Sequence, residues 1–155
     1  MEQKALFEII DTAIEREEDA YRFYMDLHEK IDDSGVKDTL AWIADEEKQH
    51  KAFLVNYRDG KYSMTSLLKR DVTSYHIAES QEEPEIDENM QSQEVFLVAA
   101  HREERSHRFY SELADLHAHG ETRSMLEKMA NEELKHKEKM EYLYANTAFP
   151  QTDGG

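Results

Sequence analysis

Two glutamate and histidine motifs recur in this chain of 155 residues, and both have the spacing of metal ligands. Each motif is Glu-x-x-His, and another glutamate precedes it by thirty residues. The six residues are Glu17, Glu47, His50, Glu103, Glu133 and His136. Because residues three apart share one face of a helix, the carboxylate and the imidazole of each motif can bind the same ion. Four carboxylates and two imidazoles suit two adjacent divalent metal ions.

The six residues belong to an internal repeat in which the second half of the chain copies the first at a shift of 86 positions. Beyond the motifs, the copied pairs include Ala13 and Ala99, Arg22 and Arg108, Tyr24 and Tyr110, Leu40 and Leu126, and Lys51 and Lys137. A repeat of this kind predicts two structural units of the same design. A single Glu-x-x-His match would be weak, since Glu104 and His107 also fit it.

The elements that must position these residues are four amphipathic helices. Apolar residues recur at steps of three and four in four segments, from Leu6 to Ile31, Val36 to Tyr57, Phe96 to Leu116 and Leu126 to Leu143. We expect a break from Asp32 to Gly35, a cap for the third helix at Asp87 or Asn89, and its stop at His119-Gly120. All six candidate ligands fall on the apolar stripes.

The lengths of the connections predict the architecture. Short connections join helices one to two and three to four, so each pair is expected to form an antiparallel hairpin. The linker at about 61–90 is long enough to run the length of a helix of about 25 residues. The sequence therefore predicts an all-α four-helix bundle of two repeated hairpins joined by a long crossover. We expect one domain over 1–146, a short helix or two within 63–80, and a disordered tail at 147–155.

Carboxylates on an apolar stripe need a counter-charge, because burying a charge alone costs several kcal/mol. We find neither lysine nor arginine on the same stripes near the four glutamates, and two divalent cations would neutralise them. Mixed oxygen and nitrogen donors favour iron or manganese, with zinc as a substitute. The alternative is a bundle without metal, in which the histidines bond to the carboxylates in a buried network.

The segments that carry these motifs resemble the rubrerythrin branch of the ferritin-like superfamily. They read AIEREEDAYRFY and IADEEKQH in the first half, and AAHREERSHRFY and MANEELKH in the second. The resemblance implies a ferritin-like bundle with a di-iron centre. It also implies that Glu17 and Glu103 each bind one metal or bridge, that Glu47 and Glu133 are shared, and that His50 and His136 are the nitrogen ligands. A diferrous centre of this kind reacts with dioxygen or hydrogen peroxide.

Two departures from the family's pattern change what the resemblance implies. Rubrerythrins carry a rubredoxin-type domain whose cysteines hold an electron-transfer iron, whereas this chain has no cysteine. A separate electron donor protein is therefore expected. Rubrerythrins also tend to have an extra glutamate three residues before the third-helix ligand, and that place is Ala100 here. Since the family ties this ligand to peroxide chemistry, the departure counts against a specialised peroxidase.

Three further residues are candidates for contact with the metal ligands. Tyr24 and Tyr110 lie two turns after a ligand glutamate, where they could bond to the ligands or carry a radical; packing in the core with a satisfied hydroxyl is the alternative. His107 follows Glu103 by four residues and could be a third nitrogen donor, or a histidine at the rim of the bundle.

Several functions are compatible with this pattern. The leading hypothesis is an oxidoreductase whose diferrous centre reacts with dioxygen or hydrogen peroxide. The alternatives are a ferroxidase or iron-storage protein, a non-catalytic protein that metal merely stabilises, and a monooxygenase acting on an organic substrate.

Composition excludes other classes of function. The formal net charge of −16 disfavours nucleic acid as a partner, because phosphate backbones need a basic surface. No stretch approaches the roughly 20 apolar residues of a membrane span, and acids stand where a secretory signal would be basic. We expect a cytoplasmic protein that forms a homo-oligomer, a dimer being the simplest.

Overall fold

The computed structural model describes residues 2–61, 75–87 and 89–148. Within them all regular secondary structure is helical. The helices are α1 (Glu2–Lys30), α2 (Ser34–Arg58), α3 (Ile77–Ser80), α4 (Ser92–Asp115) and α5 (Glu121–Ala148). The chain divides into two compact units, Met1–Ser63 and Met64–Gly155. Helices α1 and α2 form what we call the first hairpin, and α4 and α5 form the second.

The first hairpin is antiparallel, as its short connection predicts. Two ion pairs cross it, Lys51 to Glu18 at 2.7 Å and Arg58 to Asp11 at 2.6 Å, so residue numbers rise in α2 as they fall in α1. The Asp33 side chain caps α2 by accepting a hydrogen bond from the backbone N–H of Val36 at 3.0 Å. This cap draws the last two residues of the predicted break into the first turn of α2.

The apolar stripe of the first hairpin is buried as its periodicity predicts. Its buried core includes Ile10, Ala13, Ala20, Tyr24, Leu27, Ile31, Val36, Leu40, Ile43 and Leu54. Each large aliphatic side chain that leaves water in this way contributes about 1.5–3 kcal/mol to folding. Because the candidate ligands share this stripe, the same packing holds them in the interior.

The second hairpin begins and ends at residues other than those predicted. The predicted cap at Asp87 or Asn89 is wrong, since the N-cap of α4 is Gln91. The Asp87 carboxylate instead accepts a hydrogen bond from the backbone N–H of Asn89 at 2.6 Å and forms a turn before the helix. Helix α4 ends at Asp115, so Leu116 leaves the predicted stripe and is 79% exposed.

The sequence led us to expect Gly120 at the end of α4. It lies instead at the start of α5. Its φ of 152° is a conformation that favours glycine. Its carbonyl accepts a hydrogen bond from the backbone N–H of Ser124 at 3.0 Å, which is the first turn of α5. The chain therefore turns between Leu116 and Gly120 and enters α5 directly.

The connection between the hairpins contains the short helix α3, within the range where one was expected. Residues 62–74 lie outside the described residues. Helix α3 packs against α4, and the backbone N–H of Ala78 donates a hydrogen bond to Oε2 of Glu141 in α5 at 2.8 Å. Helix α5 continues through Ala148, two residues into the predicted tail, and 149–155 lie outside the described residues. Among the described helices, none combines the length and apolarity that a bilayer crossing requires.

Candidate metal centre

Both hairpins bury their candidate ligands. Helix α1 carries Glu17, α2 carries Glu47 and His50, α4 carries Glu103, and α5 carries Glu133 and His136. Each of the six residues is at most 3% exposed. Acidic residues are rarely buried without a partner or a metal, so the four glutamates among them are unusual in a chain with 35 acidic residues to place.

In the first hairpin, the imidazole of α2 lies beside the carboxylate of α1. The Nδ1 atom of His50 is 3.8 Å from Oε2 of Glu17. Glu47 lies one turn before His50 on the same helix, as the Glu-x-x-His spacing predicts. One hairpin therefore holds two carboxylates and one imidazole.

The second hairpin repeats this arrangement. Nδ1 of His136 is 3.6 Å from Oε2 of Glu103 in α4 and 3.9 Å from Oε2 of Glu133 in α5. The shift of 86 positions in sequence thus relates two sets of side chains that lie on corresponding helices of the two hairpins, with similar burial and similar distances. We call Glu17, Glu47 and His50 the first half set, and Glu103, Glu133 and His136 the second half set.

The distances within each half set fit a shared ion. Separations of 3.6–3.9 Å between nitrogen and oxygen are too long for a good hydrogen bond. Two donors that each lie about 2.0–2.2 Å from one metal ion can be up to roughly 4 Å apart. A cation would also offset two buried negative charges in each half set. The donor chemistry and the spacing therefore suit a metal ligand set.

The two tyrosines of interest are core residues. Tyr24 and Tyr110 are 0% and 1% exposed. Each packs edge-on against the phenylalanine before it, with ring centroids 5.4 Å apart for Phe23 and 5.2 Å apart for Phe109. The repeat therefore preserves an aromatic pair as well as the ligands, which gives both tyrosines a packing role.

His107 is half-buried and bonds to the neighbouring helix. Its Nδ1 lies 2.9 Å from the backbone oxygen of Ala130 in α5. A carbonyl only accepts, so Nδ1 carries the proton and Nε2 is the nitrogen left for any metal. His107 also lines a cavity of about 280 Å³ between α4 and α5, together with Ser111 and Asn131. His107 thus lies partly exposed against α5, while its role as a metal ligand stays a prediction.

The second unit buries a lysine beside the candidate ligands, so the expectation that no lysine or arginine lies near them is wrong. Lys137, next to His136, is 1% exposed. Its Nζ lies 2.6 Å from Oε1 of Glu79, 3.5 Å from Oε2 of Glu141 and 3.7 Å from Oε2 of Glu104. We call these four residues the lysine cluster. Three carboxylates outside the second half set thus surround this ammonium group.

The sequence does contain a signal for the lysine cluster, on the helix face next to the predicted apolar stripe. Lys137 and Glu141 are four residues apart and flank the stripe that Met140 continues, where a core-facing helix is often apolar. Because both residues are polar, the hydrophobic pattern assigns them to the solvent-exposed face of the helix. Glu79 lies 58 positions from Lys137, and sequence gives no sign that the two meet.

Comparison with known proteins assigns the family. A family model described as Rubrerythrin matches residues 8–144. Searches of curated proteins and of solved structures found no match. Since the family match covers most of the chain, the chain belongs to the rubrerythrin family. Its helical structure is consistent with a ferritin-like helical bundle. Family membership and the buried glutamates and histidines together indicate a metal site.

Proposed function

We propose that this member of the rubrerythrin family is an oxidoreductase in which the two half sets hold a di-iron centre that reacts with dioxygen or hydrogen peroxide. The observation that carries the proposal is the duplicated half set. Two buried carboxylates and one buried imidazole occur in each hairpin, with matching separations of 3.6–3.9 Å. A packing role without metal would not require the same three donors to be buried twice.

The roles of the six residues follow from their chemistry and from the family. By the family's pattern, Glu47 and Glu133 would be the carboxylates shared between the ions, and Glu17 and Glu103 would each hold one ion or bridge. His50 and His136 are the proposed nitrogen ligands. When bound, two ferrous ions supply one electron each to the oxidant. The protein's contribution is to orient the six donors and to keep bulk water from them, since each is at most 3% exposed.

Ala100 bears on the choice of oxidant. It is fully buried in α4, at the place where the family tends to have an additional glutamate. A methyl group can neither bind iron nor accept a proton there. We therefore propose that dioxygen is used at least as readily as hydrogen peroxide, and that the protein is not a specialised peroxidase.

We propose that the electrons come from a separate donor protein, because the helices that carry the ligands have no cysteine to hold an electron-transfer iron. A homodimer in the cytoplasm is the setting we propose. Manganese or zinc could occupy the same donors, but only a redox-active metal supports the proposed reaction.

The proposed function is tested by loading the protein with ferrous iron without oxygen, then mixing it rapidly with oxygen or with hydrogen peroxide. We expect two irons per chain, and an absorbance change on mixing with either oxidant. The matched controls are Glu17→Ala and Glu103→Ala, which each remove one ligand from one half set. Binding of fewer than two irons, or a loaded protein inert to both oxidants, would overturn the proposal. Light scattering separates a dimer from a storage shell of several hundred kilodaltons.

A further inference from the structure

The lysine cluster ties three helices together beside the second half set. Lys137 belongs to α5, Glu104 to α4 and Glu79 to α3, while Glu141 lies one turn beyond Lys137 in α5. Lys137 directly follows His136, and Glu104 directly follows Glu103. The cluster therefore fixes α4 against α5 at the level of the ligands, and it adds a segment from between the hairpins to that contact.

Helix α3 is held by charge more than by apolar burial. Only Ala78 of its four residues is buried. Glu79 reaches Lys137, and its other carboxylate oxygen lies 2.7 Å from Nδ1 of the exposed His76. Partial burial acts to raise the pKa of Glu79, but the bonds from Lys137 and His76 outweigh it and hold that pKa below its ordinary value. The carboxylate is thus stabilised in the charged form that the lysine cluster uses.

Hydrogen exchange at the Ala78 amide can be used to monitor the contact between α3 and α5. This amide donates to Oε2 of Glu141, which is fully buried. The first N–H groups of a helix have no partner within it, so Ala78 depends on Glu141 for protection from exchange with water. The other oxygen of Glu141, Oε1, is also buried and accepts no hydrogen bond within the described part of the chain. Glu141 therefore relies on the Ala78 amide and Lys137.

We propose that Lys137 is a positioning residue that couples the docking of α3 to metal binding at the second half set. This inference rests on the proposed function, because it needs the half set to bind metal. With metal bound, Glu103 and His136 would be held in one arrangement, and their direct neighbours Glu104 and Lys137 would be positioned with them. Coupling of this kind is reciprocal, so metal binding strengthens α3 docking and α3 docking raises metal affinity.

The test measures amide hydrogen exchange at α3 and manganese binding on the same protein. Mn²⁺ is the probe, because it can occupy the donors without consuming oxygen as ferrous iron does. In the wild type, we expect two Mn²⁺ to bind and to slow exchange at Ala78 about fivefold or more, which is the lower end of typical coupling between sites. Glu79→Gln should abolish this response and weaken Mn²⁺ binding by a similar factor.

Two controls match the variants. Glu82→Gln removes an exposed carboxylate three residues further along the same segment, and it should leave exchange at Ala78 and Mn²⁺ affinity unchanged. Lys51→Gln changes the lysine at the repeat-equivalent position of the first hairpin, and it should leave exchange at Ala78 unchanged, whereas Lys137→Gln should accelerate it. Should Lys137→Gln fail to fold, Glu79→Gln decides, because Lys137 keeps two carboxylates in that variant.

The outcomes separate this inference from the proposed function. Binding of two Mn²⁺ with no change in Ala78 exchange, or equal Mn²⁺ affinity in wild type and Glu79→Gln, would overturn the coupling and leave the metal centre intact. A wild-type protein that binds no Mn²⁺ and no ferrous iron would overturn the metal centre itself, and with it the coupling.

Discussion

The two hairpins share a ligand pattern, but they treat the lysine after the histidine in opposite ways. In the first hairpin, the Lys51 side chain is 38% exposed and pairs with Glu18 at 2.7 Å. In the second, the Lys137 side chain is 2% exposed, and Glu104 at 3.7 Å is one of three carboxylates around it. Lys51 and Lys137, like Glu18 and Glu104, are equivalent under the repeat, so the difference lies in what surrounds them.

Two additions make the second lysine a buried one. Glu141 stands where the first hairpin has Val55, and Glu79 arrives from α3. Other contacts of the repeat are unchanged, since Arg22 to Glu18 measures 3.2 Å and Arg108 to Glu104 measures 3.1 Å. Both hairpins therefore share the ligands and the aromatic pairs, whereas the lysine cluster is specific to the second hairpin.

The largest expected difference is between Lys137→Met and Lys51→Met. Removing the buried cation of the cluster costs about 3–5 kcal/mol of unfolding free energy, because the fully buried Glu141 loses the charge that offsets its own. Removing the half-exposed Lys51 should cost about 0–1 kcal/mol. Urea denaturation of both variants measures the contrast. Equal losses would mean that the burial of Lys137 has no energetic consequence.

Loss of a ligand should affect the two hairpins equally. Metal at 100 times its dissociation constant stabilises a protein by about 2.7 kcal/mol. Glu17→Ala and Glu103→Ala should each remove most of the rise in melting temperature on adding Mn²⁺. Glu15→Ala and Glu112→Ala, which change exposed glutamates of the same two helices, should keep it. If one ligand variant retained the full metal-linked rise, that half set would not belong to the centre.

Helix caps should distinguish the hairpins more weakly. Asp33→Ala removes the side-chain acceptor at the start of α2 and should cost about 1 kcal/mol. Glu94→Ala removes the carboxylate that accepts from the backbone N–H of Gln91 at the start of α4 at 3.2 Å, and should cost about 0.5 kcal/mol. Thermal unfolding of the two variants ranks them. The reverse order would show that α4 depends on its start more than α2 does.

The smallest expected effect is that of acid, which should weaken one ion pair in each unit. The bond from Lys51 lowers the pKa of Glu18, and Glu79 also has a lowered pKa, with bonds from Lys137 and His76 outweighing burial. A lowered pKa in the folded state stabilises the fold above the ordinary glutamate pKa of about 4.3, and this contribution is lost as the pH falls below it. Urea midpoints from pH 7 to 3 should therefore fall less in Glu18→Gln and Glu79→Gln than in the wild type. If the urea midpoints of both variants fell with pH as steeply as those of the wild type, the predicted contribution of the two ion pairs to stability would be contradicted.

Much of the fold was open to prediction because helical periodicity is set by the backbone itself. Steps of three and four residues predict Ile10, Tyr24 and Leu54 in the core, and all three are buried. Helix ends were less predictable. Gln91 caps α4 in place of Asp87, because a local hydrogen bond to Glu94 decides among several adequate starting residues. At the opposite end, Leu116 lies outside α4, and its backbone N–H bonds to the Leu113 carbonyl at 3.2 Å.

The sequence by itself determined the duplicated ligand pattern and its burial, since a 3.6-residue period puts Glu17, Glu47, Glu103 and Glu133 on the same stripe as the apolar core. Only the tertiary structure decided the fate of Lys137. Its burial depends on Glu79, 58 positions away, and on a backbone amide of α3 that satisfies Glu141. Periodicity describes one helix at a time, whereas a buried charge is stabilised by whichever distant groups the folded chain brings to it.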